Sequence, residues 1–257
     1  MVNVKQNNSL VPVHWRENFI EMEMTVPFTF NRLNKTYNMG FLSSSSYTSR
    51  YEIRNKPGNF IENLRFPMKY TAYFSRNTQR SLRDLAPRWG QNFSISYFHL
   101  PFETELNGSL LTFRSTVFAP GLFSNHSFQA SMNYQESDGA YNFNIEIPKI
   151  SGYNNLRPSA SLRNTLLFDY RFPICYPDSE IGPLAYIKRI KGGLFADFEN
   201  IGKGAVFQPR TFGLELSADM NLMRFFLPDF DLAGKLIFSN ELSNNKPIIE
   251  FGFTYNY

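Results

Sequence analysis

Along most of this chain, apolar and polar side chains alternate with a period of two. "SFQASMNY" sets Phe128, Ala130, Met132 and Tyr134 against Ser127, Gln129, Ser131 and Asn133. "YNFNIEI" sets Tyr141, Phe143, Ile145 and Ile147 against Asn142, Asn144 and Glu146. "TFGLELSADMN" sets Phe212, Leu214, Leu216, Ala218 and Met220 against Thr211, Gly213, Glu215, Ser217, Asp219 and Asn221. The final "KPIIEFGFTYNY" carries Phe251, Phe253, Tyr255 and Tyr257 on one face, with Glu250, Gly252, Thr254 and Asn256 on the other. Successive side chains of a strand point to opposite faces, so this period predicts strands. No comparable run fits an amphipathic helix. Turn signals such as "NKPGN", "ESDG", "NIGKG" and "SNNKP" separate the runs. The pattern predicts about twelve strands, near 13–30, 36–53, 66–79, 89–103, 108–119, 126–136, 140–147, 160–174, 184–199, 210–222, 231–241 and 247–257.

Two architectures produce such alternation. A soluble sandwich buries its apolar face, whereas a transmembrane barrel turns that face to lipid and keeps the polar one in a lumen. The expected strands are often about ten residues or longer, beyond the usual soluble length. Their apolar stripes end in aromatics, as interface girdles do. Charges recur on the polar face: Arg163, Asp169 and Arg171; Arg189, Lys191, Asp197 and Glu199; Glu215 and Asp219. These features favour one all-β domain over 1–257, an antiparallel transmembrane β-barrel.

Composition narrows the function. The 257 residues include 27 Phe and 14 Tyr, and 26 Lys and Arg against 22 Asp and Glu give a net charge of +4. The basic excess forms no run, so nucleic acid is not an expected partner. One cysteine, Cys175, rules out an intramolecular disulfide and a cysteine-rich zinc site. The three histidines, His14, His99 and His126, lack metal-ligand spacing. No nucleophile elbow, phosphate-cradling loop or dinucleotide fingerprint is present. No catalytic, metal or cofactor residue is therefore nominated, and enzymatic activity is not expected. No stretch has the length of an apolar membrane helix, and no signal peptide is visible near Met1.

The ending "GFTYNY", with Gly252, Tyr255 and Tyr257, resembles the terminal signal by which Gram-negative outer-membrane barrels are recognised for insertion. Phe251 stands where a polar residue usually precedes the glycine. Upstream, "ISGYNN" (150–155), "LLFDYRFPI" (166–174) and "KGGLFADFEN" (191–200) form a series similar to the outer-membrane assembly and secretion-transporter superfamily. That superfamily, of bacterial surface-antigen type, includes the barrel-assembly subunit and two-partner secretion pores. Gly152 and Tyr153 match its loop motif; Tyr170, Arg171, Phe172 and Pro173 match the next strand; Phe195 and Asp197 match the third. "PRWGQNF" and "FAPGLFSNHSF" look similar to further segments of such barrels. Two positions depart from the pattern: Ser151 replaces the loop arginine, and Glu199 replaces the last glycine.

The resemblance implies a sixteen-strand barrel of which this chain is a C-terminal portion; a complete, smaller barrel is the rival. It implies that the loop over 148–159 folds into the lumen and meets an inner wall carrying Phe195, Asp197 and Arg171. Arg171 or Arg157 is the expected donor to Asp197. An ordinary lumen pairing of Asp197 with Arg171 or Arg163 is the plainer reading, and Glu199 is read the same way. The function implied is assembly, insertion or translocation of proteins at the outer membrane of a Gram-negative bacterium. Expected partners are outer-membrane lipid, the barrel-assembly machinery, and client proteins or periplasmic domains. The alternatives are a passive pore or surface-exposed structural barrel, and a soluble β-sandwich binding module.

Overall fold

The computed structural model describes residues 2–6, 9–13, 15–52, 61–79, 81, 84–102, 107–139, 141, 144–153, 162–201, 208–222, 229–240 and 246–255. Among them every regular element is a strand. A small hairpin, β1 (Val2–Gln6) and β2 (Ser9–Val13), stands apart. The remaining twelve strands form one antiparallel sheet. In chain order they are β3 (Trp15–Arg32), β4 (Lys35–Glu52), β5 (Ile61–Thr78), β6 (Gly90–His99), β7 (Gly108–Pro120), β8 (Ser127–Gly139), β9 (Asn164–Cys175), β10 (Ser179–Ile181), β11 (Ala185–Glu199), β12 (Thr211–Leu222), β13 (Asp229–Ser239) and β14 (Ile248–Tyr255).

Chain neighbours are sheet neighbours from β3 to β9 and from β11 to β14, and β9 joins β11 directly. The short β10 pairs with Ala185–Ile187 of β11, beyond the end of the β9 pairing. β3 and β14 form the two edges and are not paired with each other. Because neighbours are antiparallel along this path, the two edge strands run in the same direction.

The sheet meanders because short turns return each strand to its predecessor. Between β3 and β4 the turn is only Leu33–Asn34, closed by the Arg32–Lys35 pair. Leu33 lies at φ 55, the left-handed conformation that two-residue hairpin turns require. Gly40 serves a different need. A Cβ there would lie 2.6 Å from the Tyr73 hydroxyl and 2.8 Å from the Val26 carbonyl, so only glycine lets the Tyr73 ring close over β4.

Of one expected strand, 140–147, the described residues 141 and 144–147 are not in a strand. The alternation over 140–147 is real, but residues 144–150 form no ladder. Side chains satisfy their backbone groups instead. The Gln135 amide donates to the Asn144 carbonyl at 2.8 Å and accepts from the Glu146 N–H at 3.1 Å. The Arg114 guanidinium donates to the Glu146 carbonyl. A backbone whose donors and acceptors are met in this way gains nothing from a neighbouring strand. The twelfth strand of the sheet is β10, which the pattern did not predict.

The two faces differ throughout. Outward along β3 point Ile20, Met22, Met24, Val26, Phe28 and Phe30, with Met22 73% exposed. On the same face lie Phe41, Ile95, Val117, Met132, Leu194, Leu214, Leu216, Leu232, Ile249, Phe251 and Phe253. Phe251 is 82% exposed. This apolar band runs from one edge of the sheet to the other, far beyond the scattered apolar side chains of an ordinary wet surface. The opposite face is polar and carries a second layer of chain at its C-terminal end.

Candidate functional site

That second layer is the segment 144–153, which leaves β8 and crosses the polar face towards β14. Its contacts mark the route. Gln135 of β8 and Arg114 of β7 hold residues 144–147, and Gln135 also accepts from the Ile147 N–H at 3.4 Å. Thr165 of β9 donates its hydroxyl to the Pro148 carbonyl at 3.0 Å and accepts from the Asn133 amide at 3.1 Å. The Asp197 carboxylate of β11 accepts from the Ser151 backbone N–H at 2.7 Å. Gly152 lies against Ile237 of β13 and Ile248 of β14. The span from β8 to β13 is four strand spacings, about 19 Å, within reach of about eight residues of extended chain.

The fit is apolar as well as polar. Leu110, Ile147, Ile150, Leu162, Phe195 and Ile237 are all buried, and most lie on the segment or on the face beneath it. Gly152 sits at φ +79, and a Cβ would be 3.4 Å from the Ile237 methyl group, so glycine relieves both backbone strain and crowding. Lys149 places its ammonium 4.2 Å from the centre of the Tyr153 ring. Beside the segment, Tyr141 packs on Phe98 with ring centres 6.3 Å apart, and burial pushes the Tyr141 phenol above its ordinary pKa.

Asp197 differs from expectation in its partner. Its carboxylate meets the Ser151 backbone N–H, the Ser151 hydroxyl and, at 3.4 Å, the Thr211 hydroxyl. The expected donor Arg171 instead faces Asp169 at 3.9 Å and Glu215 at 4.0 Å. Register explains the difference. Arg171 pairs across to Gly193, two inward positions from Asp197, and Glu215 lies opposite Gly193 on its other side. Arg157, the second expected donor, lies outside the described residues, as do 154–159 of the loop. Glu199 pairs with Arg210 rather than with Arg171 or Arg163.

Past Asp197, the wall becomes a ladder of ion pairs. Lys191 of β11 reaches Asp219 of β12 at 2.5 Å and Asp231 of β13 at 2.6 Å. Asp219 and Asp231 are directly opposed in register, so Lys191 separates two like charges. Arg189 also binds Asp219, and Lys235 approaches Glu215 at 3.6 Å. The Lys235 ammonium lies 5.4 Å from the centre of the buried Phe195 ring. A cavity of about 690 Å³ separates the segment from this wall, bordered by Lys149, Tyr153, Arg171, Lys191, Glu215 and Glu250.

No protein-family model, curated protein or solved structure matches the chain. Its functional reading therefore rests on the geometry above and on the sequence resemblance. Of the residues singled out in the sequence, Gly152, Tyr153, Phe195 and Asp197 lie on the segment or the wall it crosses. Gly252 lies on the same inward face of β14, opposite Ala233. Tyr255 pairs with Phe230 in register, and Tyr257 lies outside the described residues. Gln135, Arg114 and Thr165 hold the segment, and none of them is singled out by the sequence pattern; Lys191, which ties β11 to β12 and β13, is singled out there as one inward charge among several. The readable signal for Gln135 was a polar face on β8 rich in amides and hydroxyls; Arg114 of β7 and Thr165 of β9 had none. Among the described residues no histidine, cysteine and carboxylate cluster could hold a metal ion.

Proposed function

We propose that this chain forms the wall of a membrane-spanning β-barrel, braced from within by residues 144–153, and that it acts in assembling, inserting or translocating proteins at a Gram-negative outer membrane. The observation that carries the reading is the Ser151–Asp197 contact, made across 46 positions of sequence at 2.7 Å. It joins the two motifs that resemble the transporter superfamily. The continuous outward band supports the membrane assignment, because lipid is the solvent in which such a face costs nothing to expose. The direction of the edge strands is also compatible with it. An odd number of further strands between β3 and β14 would close an antiparallel barrel, and a sixteen-strand barrel would supply five. Outer-membrane lipid, the barrel-assembly machinery and client or periplasmic domains are the corresponding partners.

A second reading, a passive structural barrel or pore, is favoured by one feature. Ser151 offers Asp197 a backbone N–H and a short hydroxyl where the resembled loop offers a guanidinium fork, so the brace is simpler. Reconstitution separates the two readings. Vesicles carrying the chain should speed insertion of an unfolded outer-membrane protein relative to empty vesicles. Locking the segment with cysteines at 151 and 197, in a Cys175→Ser background, should remove that acceleration, and reductant should restore it. Ion conductance without acceleration would select the passive barrel. A chain that stays soluble without detergent would select the sandwich module and end both membrane readings.

A further inference from the structure

Near the β3–β4 turn the outward apolar band ends in three cations, Arg32, Lys35 and Arg76. Register aligns Phe30, Tyr37, Arg76, Gln91 and Val117 side by side across β3 to β7. The next outward row towards the middle of the sheet is Phe28, Met39, Phe74 and Phe93, apolar from β3 to β6 and meeting Ser115 on β7. The next row towards the turn is Arg32, Lys35 and Thr78, and of its two cations only Lys35 borders the cavity described next. Lys35 and Arg76 thus lie where the apolar face stops. Together with Trp89, Thr78, Gln91 and Val117 they line a cavity of about 320 Å³. Among the described residues neither cation has an acidic partner.

Trp89 is fixed at this rim. Its backbone N–H donates to the Thr78 hydroxyl at 3.1 Å, and its backbone carbonyl accepts from that hydroxyl at 3.1 Å and from the Thr78 N–H at 2.9 Å. Its side chain remains 62% exposed. On the far side of Arg76, Phe30 and Tyr37 stack with ring centres 4.8 Å apart. Aromatic rings at the end of an apolar band are suited to the boundary between hydrocarbon and headgroups. A guanidinium presents a planar fork that matches phosphate oxygens, and a lysine adds a mobile point charge.

We propose that this cavity binds the phosphate of an anionic lipid, with Lys35 and Arg76 contacting its oxygens, Trp89 flanking the headgroup, and the acyl chains lying along Phe28, Met39 and Phe74. The inference rests on the membrane reading above. It adds a specific lipid site on the outward face, away from the braced wall. Phosphate chemistry alone would also suit free inorganic phosphate, but the apolar row beside the cations selects a lipid.

The test uses Trp89 as its own probe. The chain has 2 Trp, so Trp15→Phe leaves Trp89 as the single emitter. The protein is reconstituted with lipids brominated near the headgroup, and quenching by phosphatidylglycerol is compared with quenching by phosphatidylcholine. Each cation near an anionic headgroup contributes roughly a fivefold preference, so the association ratio should clearly favour phosphatidylglycerol. Lys35→Gln with Arg76→Gln should lower the ratio several-fold, leaving only the share of the neighbouring Arg32, while phosphatidylcholine still quenches, and Lys35→Arg should preserve it. A ratio near one in the unaltered pair, or a ratio the double variant does not change, would overturn the site. Loss of the preference on adding inorganic phosphate would assign the cavity to free phosphate and overturn the lipid assignment. Absence of quenching by every brominated lipid would instead remove the membrane reading itself.

Discussion

The strands β3–β6 and the strands β7–β14 share one outward face and differ on the other. In the first group the inward side chains are mostly neutral and pair with near neighbours. Thr29 donates to Asn38 at 2.9 Å, Asn38 to Ser75 at 3.3 Å and Asn77 to Asn92 at 3.0 Å, while Thr71 and Ser96 share a bond at 2.9 Å. In the second group the inward face holds ion pairs and a crossing layer of chain, and nearly all the buried apolar side chains are found there. A sheet with its apolar side outward has no core of its own. Here the segment 144–153 supplies one by bringing Ile147 and Ile150 to the polar side.

If that difference is energetic, mutations should divide along it. The largest effect is expected from Ile150→Ala, which empties a buried site under the crossing segment. Loss of a buried isoleucine typically costs about 2–5 kcal/mol, read by urea unfolding of the protein in micelles. If the outward face meets lipid as proposed, Met22→Ala on β3 should change stability by less than about 1 kcal/mol, because detergent or lipid would replace its environment with an equally apolar one. Comparable losses at the two positions would erase the distinction.

Asp197→Ala should come next, at about 2 kcal/mol, the usual scale for a hydrogen bond to a charged group. Releasing the segment should also open the chain to trypsin at Lys149, visible as a new fragment. Ser151→Ala keeps the backbone donor and should cost less than the Asp197 change. An equal or larger loss at Ser151 would make its hydroxyl, rather than its N–H, the principal contact.

Lys191→Met should cost about 1.5 kcal/mol, because Asp219 and Asp231 are then left facing each other. Changing Asp231→Asn in the same protein should recover most of that loss. No recovery would mean that the lysine acts through packing and not by separating the two carboxylates. The smallest change belongs to the neutral half. Asn38→Ala removes two hydrogen bonds between neutral groups, one of them long at 3.3 Å, and should cost about 1 kcal/mol or less.

The outward half of this structure was readable in the sequence because a strand's side-chain period is two and its apolar positions were kept clean. Phe128 to Tyr134, Phe212 to Met220 and Phe251 to Phe253 could be placed on a common kind of face from spacing alone. The crossing segment was harder to read. Tyr141, Phe143, Ile145 and Ile147 alternate as strand residues do, and nothing in their spacing shows that Gln135 and Arg114 would take up the neighbouring backbone groups. The donor to Asp197 was missed for a related reason. A backbone N–H has no signature in the residue type, whereas the guanidinium groups of Arg171 and Arg157 do. Register could not be read either, and register is what turns Arg171 towards Glu215. The strand β10 is three residues long, too short for any period to be visible.

The most direct test of the two-faced wall is a cysteine scan in bilayers, using the Cys175→Ser protein with single cysteines at 20–26 in β3 and 248–253 in β14. Each is labelled with a nitroxide and its collisions with oxygen and with a water-soluble nickel complex are compared. Oxygen should dominate at 20, 22, 24, 26, 249, 251 and 253, and the nickel complex at 21, 23, 25, 250 and 252. That alternation at both edges would establish the outward band as a lipid-facing surface. Nickel access at every position, or loss of the alternation at either edge, would contradict it.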